Sequence, residues 1–519
     1  MIITALGHAG FCVETEKAII IMDPWVSTNG AFDSAWFQYP CNHHMASFIQ
    51  EKLQNTSKQR YIYISHEHKD HFDPSFLRSL QTNDFTFVIG RFRRTALYDA
   101  LLKCECKEII RCTDGQTIQI PGGTITLYID DSEIERDSAI LVKADGQSFL
   151  NQNDCKIFDR LSEIMTEHGT IDVYTAQYSG ATWHPVCYDY PKKNYTAISI
   201  RKRSSKFEAV ARAIETLNPR VYFTSAGPPC FLDPLLFHIN FERINIFPRG
   251  QVFLDYLKKR LKKTPTKFSE PMPVDQLDAA TGEWVFLSSE RVTEKNYEAY
   301  IRAYAARFEP LFRSRRDLVN AQELPTLFEN LKTALVEKLQ KLTLRDRVKI
   351  PLYFRLSDYL ERMIRVDFQA NKVEDAAEIL EENYYSISTP SWEIARVLDG
   401  RLTWEDFTLT FRMQLKRDPD VYHVVIHGFL TMEPDDMNAF CSKVLNSEAN
   451  CERVLVEAGG RRYSINRYCP HAGADLTGGW IEKDRFLVCP RHRWMFDLEE
   501  DGRCLNSDAS IDAVEVEDN

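Results

Sequence analysis

Tyr61-Ile62-Tyr63-Ile64-Ser65-His66-Glu67-His68-Lys69-Asp70-His71 decides how the first half of this chain folds. Its first four residues are aromatic or β-branched and read as a buried strand. That strand runs straight into three imidazoles and a carboxylate. On a loop leaving a buried strand, the alternating His66 and His68 face one way, while Asp70 and His71 turn towards a second position. Such a loop can hold one or two metal ions. The bland alternative is a solvated, histidine-rich turn.

The spacing H-x-H-x-D-H resembles the metal loop of the metallo-β-lactamase fold, an αββα sandwich whose remaining ligands come from later loops. Upstream, short β patterns at 2–5, 11–14 and 18–22 end at Asp23-Pro24-Trp25. Downstream, a strand pattern at 139–143 leads to Phe149-Leu150-Asn151 and then to Asn153-Asp154 at the start of a helix-like segment. Asp154 sits where that fold places its metal-bridging carboxylate, although an Asn-Asp turn capping a helix looks the same. The fold's third and fifth ligand loops usually carry histidine, and here neither does. In the acidic stretch 130–138 the candidate is Glu133, with Glu135 or Asp137 as alternatives. After a strand pattern at 220–225 the candidate is Asp233, and ordinary turn carboxylates are the competing reading of both. His66, His68 and Glu133 would form a two-His-one-carboxylate set suited to non-haem Fe(II) with open positions. With Asp154 they are the expected catalytic group. Asp70, His71, Asp154 and Asp233 would hold a second ion or surround the first, so one ion or two stays open.

A second metal motif lies near the other end. Cys469-Pro470-His471 is followed, after seventeen residues, by Cys489-Pro490-Arg491-His492. Each loop gives one thiolate and one imidazole, the ligand set of a Rieske [2Fe–2S] cluster with two Cys on one iron and two His on the other. Structural zinc also accepts Cys₂His₂, but zinc fingers group their two cysteines together and their two histidines together. Gly473, Gly478 and Gly479 permit tight loops, and 481–488 and 493–497 read as short strands. Neither Ala474 nor Arg491 is a cysteine, so the bracing disulfide of respiratory Rieske proteins has no partners. With Trp494 after the second histidine, the pattern resembles the Rieske domains of oxygenases and soluble ferredoxins.

The chain has 519 residues, enough for about two to four domains. No apolar run reaches the roughly eighteen residues of a membrane span. The first residues already follow a strand pattern, so no leader is expected. Thirteen cysteines in so long a chain suit a reducing cytoplasm with mostly free thiols. A net charge of −11 argues against a nucleic-acid partner, which needs a basic face; a small anionic substrate could still meet a local Arg/Lys cluster.

The expected organisation is a multidomain α+β chain: a metallo-β-lactamase-like catalytic domain at 1–265, a mainly helical region at 266–438 packing on it, and a small all-β Rieske domain at 439–519. Helical spacing is read at 206–217, 297–307, 324–342, 356–364 and 373–384, and prolines mark 265–275 as a linker. Arg201-Lys202-Arg203 with Lys206 would attract a phosphate or simply start a solvated helix. Trp392, Trp404, Phe407 and Phe411 with Arg412, Lys416 and Arg417 would stack a base and pair a phosphate, or form a core edge.

Together these motifs resemble the CMP-N-acetylneuraminate hydroxylases, which join a Rieske domain to a metallo-β-lactamase-like domain. The resemblance covers roughly 1–240 and 385–434. It includes Asp23-Pro24-Trp25, the histidine loop, Asp137-Ser138, Leu150-Asn151 with Asp154-Cys155, Tyr178-Ser179-Gly180-Ala181, Ala226-Gly227 and Arg417-Asp418-Pro419-Asp420-Val421-Tyr422-His423. Two departures stand out. That family carries its Rieske domain first, whereas here it is last, and Glu133 and Asp233 replace the third and fifth loop histidines.

The resemblance implies an iron monooxygenase using O₂ to hydroxylate a small substrate, a nucleotide-linked N-acyl amino sugar. Electrons would come from a reductase, ferredoxin or cytochrome b5-like protein and leave the cluster at Cys469, His471, Cys489 and His492 through an exposed histidine edge. No G-x-G-x-x-G fingerprint is present, so NAD(P)H would be oxidised by a separate protein. Alternatives are oxygenation of another small intermediate, including at nitrogen, a zinc hydrolase with a redox-sensing cluster, or an electron carrier on a degenerate scaffold. Homo-oligomerisation stays open.

Overall fold

The structure is a computed structural model that describes residues 1–130, 136–289, 291–316, 319–320, 322–448, 452–505, 507 and 509–516. The chain divides into two compact units. The first comprises Met1–Ala181, Ser199–Leu232 and Ile239–Tyr304.

In the first unit two sheets stack face to face. β1 (Ile2–Gly7), β2 (Gly10–Glu14) and β3 (Ala18–Met22) form an antiparallel meander, which β4 (Gln59–Tyr63), β5 (Thr86–Gly90) and β6 (Glu108–Cys112) extend in parallel. The second sheet runs in sequence order through β7 (Thr117–Ile120), β8 (Gly123–Asp130), β9 (Asp137–Ala144), β10 (Gln147–Asn151), β11 (Val173–Thr175), β12 (Val221–Phe223) and β13 (Lys267–Ser269). β14 (Gln276–Asp278) and β15 (Glu283–Val285) return to the free edge of β1. The Pro-rich stretch read as a linker therefore contains an edge strand, since Lys267–Ser269 pairs with β12.

Why β3 reads as an unbroken apolar run is plain from its surroundings. Side chains alternate across a strand, and both faces of this one are covered. Ile20 and Met22 meet Ile125, Leu127, Ile140 and Phe149 of the second sheet. Ile19 and Ile21 pack outward with Met45, Ile49 and Leu53 of the helix Met45–Gln54. On the far side, Leu141, Leu150, Tyr174 and Tyr222 lie under Phe207, Val210 and Ile214 of the helix Lys192–Leu217 and Phe253 of the helix Gly250–Arg260. The result is the αββα metallo-β-lactamase-like sandwich expected from the histidine loop.

The second unit comprises Thr182–Ile198, Asp233–His238 and Ala305–Asn519. The helix Leu324–Lys341 of this unit, like Tyr297–Ala306 at the end of the first, falls where helical spacing was read. The expectations at 356–364 and 373–384 fail. A five-stranded sheet occupies that region: β16 (Leu352–Leu356), β17 (Tyr359–Asp367), β18 (Lys372–Ala376), β19 (Tyr384–Thr389) and β20 (Gln414–Asp418), in the order β18-β17-β16-β19-β20. The misreading has a cause. Arg365 pairs with Glu374 across the strands at 3.1 Å and with Glu381 at 2.8 Å, and Arg362 pairs with Asp375. Along the chain, however, Glu361 and Arg365, and Glu374 and Glu378, fall four residues apart, which is the charge spacing of a helix, and strand pairing overrides that local signal.

Trp392, Trp404, Phe407 and Phe411 are buried. Arg412, also buried, reaches Asp233 and Glu393 at 2.7 Å each, so these aromatics and Arg412 form a core edge, whereas Lys416 is exposed over the Tyr384 ring and Arg417 is half-buried over Tyr188.

The Rieske portion contains β21 (Arg453–Ala458), β22 (Arg461–Asn466), β23 (Trp480–Glu482), β24 (Phe486–Val488), β25 (Met495–Asp497), β26 (Arg503–Cys504) and β27 (Val514–Val516), arranged as a three-stranded and a four-stranded sheet. This is the small all-β domain expected.

Lys338 of the helix Leu324–Lys341 is buried. Its amine donates to the Met432 carbonyl at 3.0 Å and sits 4.1 Å from the Trp404 ring centre. Burial, opposed by Glu433, pulls its pKa down from 10.5 to about 7. Between those values the unfolded chain binds one more proton than the folded chain, so stability rises with pH across this window. Thermal unfolding followed by circular dichroism should show Tm increasing from pH 7 to 9, and Lys338→Met should flatten that increase while raising Tm at pH 7.

Candidate metal centres

The centre in the first unit grows from the ends of two parallel strands. β3 ends at Asp23 and β4 runs on to Ser65, and the Asp23 amide donates to the Tyr63 carbonyl at 3.0 Å. Asp23, fully buried, accepts from the Ser65 amide (2.8 Å), the Ser65 hydroxyl (2.7 Å) and His71 Nδ1 (2.8 Å). Because His71 Nδ1 carries the proton given to Asp23, its Nε2 is the nitrogen left for a metal. The Ser65 hydroxyl also lies 3.0 Å from His66 Nδ1. With its own proton on Asp23 it accepts there, which likewise leaves His66 Nε2 free to coordinate. Carboxylate-to-imidazole contacts of this kind fix the tautomer of metal-binding histidines.

Among the described residues two groups bring ligand atoms within 4.8 Å of one another: His66, His71 and Asp154, and His8, Asp70 and His71. His71 Nε2 lies 3.6 Å from Asp154 Oδ1 and 3.9 Å from Asp70 Oδ2. Among the described residues, His71 Nε2 and Asp154 Oδ1 are both buried without a hydrogen bond, which suits metal ligands. His68 Nδ1 is 2.9 Å from His66 Nε2.

Charge adds to the case. Burial, reinforced by His71 and His68, pushes His66 well below its ordinary pKa. For His71 burial works downward, but Asp70 and Asp154 raise it well above. Burial would raise Asp70, yet His71 and the bond from His8 hold it well below the usual carboxylate range. Burial and the neighbouring Asp154 push Asp137 well above it. Buried carboxylates and imidazoles that compete for a few protons are what a metal ion displaces protons from.

The candidate residues of the sequence fare differently. His66, His68, Asp70, His71 and Asp154 converge. Glu133 and its alternative Glu135 lie outside the described residues. Asp137 lies 3.4 Å from His66 Nδ1. Asp233 belongs to the second unit, where Arg412 engages it. His8 was missed: it sits in the two-residue turn between β1 and β2 with its Nε2 3.1 Å from Asp70. The only sequence signal was a polar imidazole beside Gly7 between two apolar strands.

In the second unit the four cluster residues sit on two loops closed by the same pair of backbone bonds. Cys469 N donates to Ala474 O and Gly473 N to Cys469 O, both at 2.9 Å; Cys489 N donates to Trp494 O at 2.9 Å and Arg493 N to Cys489 O at 3.0 Å. In each loop the residue four after the cysteine has positive φ, 70° at Gly473 and 59° at Arg493. Both thiols are fully buried, and the His471 and His492 rings stand 4.5 Å apart and nearly perpendicular. Despite burial, hydrogen bonds from Cys469 and from the His492 and Arg491 amides hold the Cys489 thiol below its ordinary pKa. Paired buried thiols, one stabilised as thiolate by backbone amides, fit an iron–sulfur cluster.

The expected exposed histidine edge is not His471 but falls to His492. His471 is buried, stacked on Trp494 at 4.4 Å and met edge-on by Tyr422 at 6.0 Å. His492 is the half-buried one. Tyr422 belongs to the 417–423 string, which gives that string a place beside the cluster.

Comparison with known proteins agrees with this geometry. The Rieske [2Fe-2S] domain family matches residues 435–515. A Rieske 2Fe-2S iron-sulfur protein of Mycolicibacterium smegmatis is 30% identical over 539 residues, covering 98% of each chain, and one of Mycobacterium tuberculosis is 28% identical over 541 residues with the same coverage. The cytidine monophosphate-N-acetylneuraminic acid hydroxylase of Xenopus laevis is more distant, 21% identical over 501 residues, covering 88% of this chain and 76% of that one. The chain belongs to the family of Rieske [2Fe–2S] iron–sulfur proteins represented by the Mycolicibacterium protein.

Proposed function

We propose that this protein is a Rieske-type iron oxygenase that hydroxylates a small substrate. The observation that carries the reading is the union, in one chain, of a Cys₂His₂ cluster site with a buried imidazole-and-carboxylate centre on a lactamase-like sandwich. Two histidines with one carboxylate suit non-haem iron that keeps open positions. Iron bound there would supply dioxygen activation, and the cluster would supply electrons one at a time.

The chain's own residues would hold and shield these groups. Asp23 and Ser65 orient His71 and His66, and Asp137 stands behind His66. Trp494 and Tyr422 cover His471, which leaves His492 as the edge for electron exchange. In the first unit a narrow recess is lined by His8, Tyr39, Tyr178, Ser225 and Glu270. Because His8 belongs to both the recess and the metal pocket, substrate would approach the metal from this side.

Similarity to the hydroxylases supports a nucleotide-linked N-acyl amino sugar as that substrate, with another small biosynthetic intermediate, oxygenated at carbon or nitrogen, as the alternative. The electron donor would be a separate reductase, ferredoxin or cytochrome b5-like protein. The twelve described cysteines form no disulfide, which supports a reducing cytoplasm. No helix of the described residues is long and apolar enough to cross a membrane.

Metal and sulfide content of anaerobically purified protein, with EPR of the dithionite-reduced state, tests the proposal. About three or four irons per chain are expected, two of them in a cluster with a Rieske signal; two irons with zinc would replace the oxygenase by a hydrolase with a redox-sensing cluster. His66→Ala should lose metal beyond the cluster and keep the cluster spectrum, and Cys489→Ser should lose the cluster and keep the other metal. In a single turnover, the reduced protein mixed with O₂ and a CMP-linked N-acyl amino sugar should yield product heavier by one oxygen atom, the other atom leaving as water; unchanged substrate would redirect the search to other intermediates.

A further inference from the structure

His71 is claimed by both ligand groups, yet it has one nitrogen to give. Its Nδ1 is committed to Asp23, so Nε2 can serve a single ion. If that ion is the one beside Asp70, the other ion needs a second imidazole, and His68 lies 2.9 Å from His66. The residues then divide so that each ring is used once: His8 and His71 with Asp70, whose ligand atoms all lie within 4.8 Å of one another, and His66 with Asp154, towards which His68, beside His66, would turn. Each set is two imidazoles and one carboxylate, the combination that leaves positions open on ferrous iron.

We infer that His8 is a metal ligand, completing with Asp70 and His71 a second ion site in place of the fifth-loop residue. The inference rests on reading this pocket as a metal centre.

Three observations support it. The spacing is right: with metal–ligand bonds near 2.1 Å, neighbouring donors stand about 3.0–3.5 Å apart, and His8 Nε2 is 3.1 Å from Asp70 Oδ2. The ring is also poorly explained as a core histidine. Its side chain is 3% exposed, and its Nδ1 is buried with no hydrogen-bond partner among the described residues.

Finally, the backbone is strained to put the ring there. His8 has φ 50° and Gly7 φ 104°, and a Cβ on Gly7 would come within 2.8 Å of Asn42 Nδ2. Asn42 uses that amide to hold the Leu6 and Trp25 carbonyls, at 2.7 and 2.9 Å. The turn bearing His8 is thereby tied to the segment bearing Asp23. Non-glycine residues at positive φ are uncommon and concentrate where a side chain must be aimed. The His8 ring meets Trp25 at 5.1 Å and His71 at 5.6 Å, edge-on in both cases.

The test is metal stoichiometry of the full chain reconstituted anaerobically with Fe(II), using the Rieske EPR signal as an internal measure of folding. Wild type should hold two ions beyond the cluster. His8→Ala and His8→Gln should each hold one, with an unchanged cluster signal; the glutamine variant keeps a hydrogen-bond donor for Asp70, so a merely positioning role would leave the count at two. Asp233→Asn should also leave it at two. Retention of both ions by the two His8 variants would overturn the inference while leaving the oxygenase reading intact. Wild type with a single extra ion would overturn the two-set division, and wild type with no metal beyond the cluster would overturn both readings.

Discussion

One buried carboxylate organises the metal pocket of the first unit. Asp23 ends β3, Ser65 and His71 follow β4, and three hydrogen bonds to Asp23 bind them into one rigid piece. A carboxylate with no exposure is costly unless every oxygen is satisfied, and here both are. Its energetic need and the chemical need of the site coincide. The bonds that make burial of Asp23 tolerable are the bonds that turn His71 Nε2 into the pocket. Ser138 extends the same logic from the second sheet, donating to the Ser65 carbonyl at 2.9 Å and meeting the Tyr63 hydroxyl. The pocket is thus built where the two sheets meet.

The cluster site is organised differently, by backbone closure instead of side-chain bonding. Its two loops share one hydrogen-bond pattern although they share few residues, and aromatic cover from Trp494 and Tyr422 completes it. Burial of the thiols lowers the local dielectric, so amide dipoles aimed at the sulfurs act strongly there.

Much of this was legible in the sequence. The sandwich followed from the H-x-H-x-D-H spacing and the apolar run of β3, and the cluster site from four residues whose types admit few other readings. That His66, His68, Asp70, His71 and Asp154 would come together was legible because they sit on a regular spacing or a recognisable turn. His8 was not, since nothing within a two-residue turn announces that its ring will meet Asp70 across 62 positions. Asp233 was proposed from its place after a strand, but its partner, Arg412, lies 179 residues away, a distance over which sequence carries no pairing signal. The sheet at 352–418 was misread because charges four residues apart, as at Glu361 and Arg365, suit a helix face as well as they suit strands whose partners lie far along the chain.

The twin cluster loops have a consequence for how such proteins are assembled. Each ring is closed by main-chain atoms, and the residue at its positive-φ position is glycine in one copy and arginine in the other. Side-chain identity there is secondary to the closure itself. A scaffold has only to present two loops at the proper separation, which makes the cluster module portable.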